Sequence, residues 1–75
     1  MSYTIASLTD IQGVLVVDFG KNGNMNEVSL YNIETKELSI KKFDKMEDAY
    51  IIFEKLSKAI IFGEYSEEVK RSWLK

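Results

Sequence analysis

The chain contains no cysteine, no histidine and no proline. Without cysteine there is no disulfide, no iron–sulfur cluster and no thiolate zinc site. Without histidine, the commonest transition-metal ligand and the commonest general base near neutral pH are both missing. Without proline, only glycine and turn chemistry oblige an element to break. No run approaches the ~18 consecutive apolar residues of a membrane span, and the N-terminus lacks the basic-then-apolar layout of a signal peptide. These absences set the expectation of a cytoplasmic protein that has no membrane partner and no cofactor.

What is present is 75 residues, 45% of them apolar and 29% charged, with a formal charge of −2. There is no internal repeat, low-complexity segment or linker, so residues 1–75 read as one domain. A chain of this size buries roughly 60–65% of its unfolded surface, which leaves one core and little reserve. With disulfides and metals gone, the stabilising devices left to such a scaffold are tight packing or oligomerisation. Nine lysines stand against one arginine, a bias that fits a low-GC bacterium or one of its phages and carries no mechanism.

The order of elements follows from hydrophobic period. Tyr3 to Leu8 reads as a strand with weak alternation, followed by a turn over Thr9 to Gly13. Val14 to Phe19 is β-branched, aromatic and too short for a helix, which makes it the strongest strand signal. Gly20 to Asn26 reads as a loop by composition. Glu27 to Ile33 alternates, with Val28 and Leu30 on one side and Ser29 and Tyr31 on the other. A tight turn at Glu34, Thr35 and Lys36 then returns the chain along Glu37 to Lys42, with Leu38 and Ile40 expected to face inward.

The helix signal is the clearest. Asp44 stands where an N-cap belongs, and Glu47 completes an Asp version of the capping box. Gly63 supplies a left-handed stop, and the acids of the first turn and Lys58 near the end agree with the helix dipole. Met46, Ala49, Phe53, Leu56 and Ile60 recur at spacings of three and four, widened by Ile52 and Ala59 into a core-facing stripe. A shorter helix starts at Ser66, its stripe formed by Tyr65, Val69 and Trp73. The expected fold is α+β: a three- to four-stranded antiparallel meander sheet followed by one long and one short C-terminal helix packed on one face.

Chemistry has few candidates. Asp18, Phe19 and Gly20 spell the magnesium-binding tripeptide of protein kinases, but 75 residues do not hold that fold or its other motifs. Asp18, Gly20, Asn22 and Gly23 resemble the opening of a calcium loop. The bidentate acid that the loop needs at its last position is Ser29, and its third position is Gly20, which has no oxygen donor. A hairpin loop rich in Gly and Asn explains the same residues without a metal. Asp18 is the only carboxylate inside an apolar strand, and the plain reading is that it ends the strand and accepts backbone hydrogen bonds from the loop. No glycine-rich phosphate loop joins a strand to a helix. The expectation is a protein with no catalysis of its own.

Surfaces are more informative. If Leu15, Val17 and Phe19 face the helix, alternation sends Val14 and Val16 to the other face, where Tyr31 and Ile33 join them. A sheet with helices on one side normally shows polar residues on its open face; Ser29, Ser39 and Lys41 are expected to obey that rule, whereas those four residues break it. On the helix, Ile51 projects among charged residues with no evident cover, while Phe62 is expected to lie under Val69 or Trp73. The partner-interface residues are therefore Val14, Val16, Tyr31, Ile33 and Ile51. They point to a protein-interaction module, a small bacterial or phage regulator or inhibitor that acts as a homodimer or binds another protein. Two alternatives remain: a nucleic-acid accessory protein acting through Lys41, Lys42 and Lys45, with acids beside them that disfavour it, and a small ligand-binding domain centred on Asp18.

Overall fold

The computed structural model describes residues 2–74. Their elements run β1 (Ser2–Thr9), β2 (Leu15–Asn22), β3 (Met25–Asn32), β4 (Leu38–Phe43), α1 (Met46–Ile61) and α2 (Glu67–Leu74). The strands form one antiparallel sheet in the order β1-β2-β3-β4, a meander with β1 and β4 at its edges. The two helices pack against it, as the sequence pattern predicts.

One face of the sheet carries the core. Val17, Phe19, Val28 and Leu30 point at α1 and meet Ala49, Leu56 and Ile60. Phe19 lies edge-on to Tyr50 and tilted against Phe53. Leu74 of α2 completes the buried cluster, with Tyr65, Val69 and Trp73 packed on its margin. Met46, expected on the helix stripe, is about half exposed at the first position of α1.

Three turns set the registers. The β2–β3 connection is shorter than composition suggests: Asn22 pairs with Met25, which leaves only Gly23 and Asn24 between strands. Gly23 has φ +63°, and a glycine at the first of two loop positions is what a tight hairpin of this kind needs. Asp18 is therefore in mid-strand and does not end β2. In the β1–β2 turn, Asp10 Oδ1 accepts hydrogen bonds from the backbone N–H groups of Val14 and Leu15. Between β3 and β4, Asn32 Oδ1 accepts from the N–H groups of Glu34 and Thr35. There Lys36 takes φ +63° and the Asn32 N–H donates to the Glu37 carbonyl.

The start of α1 differs from expectation. Lys45 is its N-cap, with no side-chain cap hydrogen bond. The corner is held instead by Asn26, which is 2% exposed. Its Nδ2 donates to the carbonyl oxygens of Phe43 and Asp44 at 3.4 and 3.2 Å. This fastens the β4–α1 connection to the end of β3. At the other end, Gly63 has φ +73° and Ser66 caps α2, its Oγ accepting from the Val69 N–H.

Candidate functional site on the open sheet face

Cross-strand partners share a face of a sheet, so the registers decide which residues meet. Val16 pairs with Tyr31 and Tyr31 with Leu38; Asp18 pairs with Ser29 and Ser29 with Ile40. Beyond the last ladder pair, the Ile33 N–H donates to the Val14 carbonyl. Val14, Val16, Tyr31 and Ile33 therefore stand together on the face away from the helices. Leu38 and Ile40 stand there with them.

The placement of β4 corrects the sequence reading. Leu38 and Ile40 do not face inward: they are 57% and 49% exposed. The inward positions belong to Ser39, Lys41 and Phe43, opposite Leu30, Val28 and Asn26. The expected turn has three residues, Glu34 to Lys36, whereas the observed loop has four, Ile33 to Lys36, between the paired Asn32 and Glu37. One added loop residue shifts the register by one, and a one-residue shift turns every side chain of the strand over. Lys41 tolerates the inward side because a lysine stem can lie on apolar surface with its head in water. Its Nζ sits 5.4 Å from the centre of the Phe43 ring.

The apolar cluster thus crosses three strands, from Val14 and Val16 through Tyr31 and Ile33 to Leu38 and Ile40. Ile33, Leu38 and Ile40 are exposed, Val14, Val16 and Tyr31 are half-buried, and Ile11, in the turn before Val14, is exposed at the same end of the sheet. Toward the other end the face becomes polar, with Asp18, Ser29, Glu27 and Lys42. Lys42 Nζ lies 3.8 Å from Glu27 Oε2. Beside Asp18 is a depression of about 200 Å³ that Thr4, Gly20, Glu27 and Ser29 also line. It is smaller than the ~300–1,000 Å³ typical of small-molecule sites.

Ile51 is not part of this cluster. It is half exposed on α1, on the opposite side of the sheet. Phe62, expected under Val69 or Trp73, is 70% exposed, because α2 docks toward Ala59 and β4 rather than over the end of α1. The three lysines of the nucleic-acid alternative do not form one patch. Lys41 and Lys42 point to opposite faces of the sheet, and Lys42 is beside Glu27.

Among the described residues no group of three acidic side chains is placed to hold a metal ion, and no helix is long and apolar enough to cross a membrane. Sequence reasoning missed Leu38 and Ile40. The signal that would have found them is Asn32, whose side chain folds back on the next residues as Asn commonly does at the start of a turn. Comparison with protein-family models finds none that matches the chain, and comparisons with curated proteins and with solved structures find no significant match either.

Proposed function

We propose that this chain is a non-catalytic protein-interaction module, a small bacterial or phage regulator or inhibitor that acts in the cytoplasm and docks through the open face of its sheet. One observation carries the reading: a contiguous apolar surface spans β2, β3 and β4 on the side opposite both helices. An antiparallel sheet covered on one side normally presents polar side chains on the other, and the largest apolar patch of a small domain is often its contact surface. Val14, Val16, Tyr31 and Ile33 belong to this surface, joined by Leu38 and Ile40; Ile51 is a separate exposed residue and adds nothing to it. The nucleic-acid reading loses support from the divergence of Lys41 and Lys42.

A photo-crosslinking residue placed at position 40, in the cells that make the protein, tests the proposal. The expected result is one discrete adduct that disappears when Val16→Lys is added and that never forms from position 24 in the β2–β3 turn. No adduct from position 40, or the same adducts from both positions, would overturn it.

A further inference from the structure

We infer that the occupant of the open face is a second copy of this chain, stacked sheet on sheet in a symmetric dimer. The inference rests on the docking proposal above and adds the identity and geometry of the partner.

Leu38, Ile40 and Ile33 are each about half exposed, and with the edges of Val14, Val16 and Tyr31 they present on the order of 400 Å² of apolar surface. An interface of standard size takes about 800 Å² from each partner, of which somewhat more than half is apolar. The patch is therefore close to what one half of a self-complementary interface requires. Two such faces stacked about 10 Å apart, with strands aligned to within about 30°, make an ordinary β-sandwich core.

The alternative route to self-association, edge-to-edge pairing, is obstructed at both edges. β1 carries a bulge: its register with β2 shifts between Thr4 and Ala6, so Ile5 is the inserted residue. Opposite the bulge, Gly20 approaches so closely that a Cβ on it would collide with the Tyr3 carbonyl oxygen. Bulges twist an edge away from a flat partner. β4 has six residues against eight in each of the other strands, carries Lys41 and Lys42 in succession, and is flanked by α2. Short, lysine-bearing edges are a recognised protection against strand addition. On the open face the charges gather at one end, and the rows of Val14, Val16, Tyr31, Ile33 and Leu38 carry none.

The polar end of the face holds both signs, Asp18 and Glu27 with Lys42, and the chain as a whole carries only −2. Asp18 lies in the row of Ser29 and Ile40, one row from a two-fold axis passing near Val16, Tyr31 and Leu38, whereas Glu27 and Lys42 lie a row further out, toward the rim. There charged residues remain hydrated and contribute little either way.

Sedimentation equilibrium of the full chain, from about 5 to about 500 μM, tests the inference. The expected species is a dimer of twice 8.7 kDa. Leu38→Lys should raise its dissociation constant about tenfold or more while leaving the circular dichroism spectrum unchanged. Ile5→Lys on the β1 edge and Ile51→Lys on α1 should change it by less than about threefold. If Leu38→Lys fails to fold, Ile40→Gln takes its place with the same expected direction. A wild-type chain that stays monomeric throughout, or a dimer broken by Ile5→Lys and not by the open-face variants, would overturn the inference. A monomer whose position 40 still crosslinks to a different protein would overturn self-docking and leave the interaction module standing. A monomer with no adduct would overturn both.

Discussion

On the helix side of the sheet, Val17, Phe19, Val28 and Leu30 are almost wholly withdrawn from water; on the other side, Ile33, Leu38 and Ile40 keep about half of their surface in it. The two sets are alike in chemistry. They differ in what lies over them, because α1 and α2 both pack on the first. Burial of an apolar side chain stabilises a fold by roughly 1.5–3 kcal/mol, and for Ile33, Leu38 and Ile40 about half of that is unrealised within one chain. The same strands thus present a finished core and an unfinished one.

The comparison is most easily broken from the covered side. Leu56→Ala removes a fully buried side chain and is expected to cost about 2–5 kcal/mol in urea unfolding. Leu38→Ser, measured at concentrations too low for association, should cost less than about 1 kcal/mol. Equal losses would show that the two faces are not different in kind.

The next largest effect is expected at Asn26. Asn26→Asp would aim a carboxylate at the carbonyls of Phe43 and Asp44 in a site closed to water, and a loss of about 3 kcal/mol or more is expected at neutral pH. Asn26→Leu, which only removes the donor from the two carbonyls, should cost about 1–3 kcal/mol. If both variants unfold at the parent midpoint, Asn26 does not hold the corner that positions α1 on the covered face.

Gly20→Ala sharpens the account of the β1 edge. The added methyl meets the Tyr3 carbonyl oxygen and Thr4 Cα, so the strands must separate there, at about 1–3 kcal/mol. Amide exchange should quicken in β1 before β3. An unchanged exchange pattern would contradict the close approach.

The smallest effect concerns α2 and the pH. Lys70 Nζ lies 2.9 Å from Glu67 Oε2 and 3.5 Å from Glu37 Oε2, joining α2 to the β3–β4 loop. The hydrogen bond to Glu67 raises the pKa of Lys70 above its ordinary value, and burial followed by the charge of Glu67 raises that of Tyr65. Both groups hold their protons more tightly folded than unfolded. Their contribution is complete below the ordinary pKa values, near pH 10, and is lost as the pH rises through the folded ones. Lys70→Gln should make the alkaline loss of stability shallower, by no more than about 1 kcal/mol. A decline as steep as the parent's would show that the Lys70 pairs do not contribute.

The architecture was legible because its signals are redundant: β-branched runs, a wide helical stripe, Gly63 past the end of α1 and Ser66 before α2 all agree. What misled was local. Asn26 and Gly20 belong to types common in loops, yet one is a buried bracket and the other faces a bulge, roles set by contacts distant in sequence. Whether β4 turned Leu38 or Ser39 inward hung on a single loop residue, since strand period converts one position of register into the opposite face. That slip concealed the outer third of the apolar surface. Val14, Val16, Tyr31 and Ile33 were legible together because alternation within each strand sends Val17 and Phe19 of β2, and Val28 and Leu30 of β3, to the helices, whatever the length of the connection between them.

An isotope-filtered NOE spectrum of labelled chain mixed with unlabelled chain reads the face-to-face contact itself. Methyl-to-methyl contacts between copies are expected from Val16, Ile33, Leu38 and Ile40 and not from Val17 and Val28. Contacts between copies confined to the β1 edge or to Ile51, or none at high concentration, would contradict face-to-face docking.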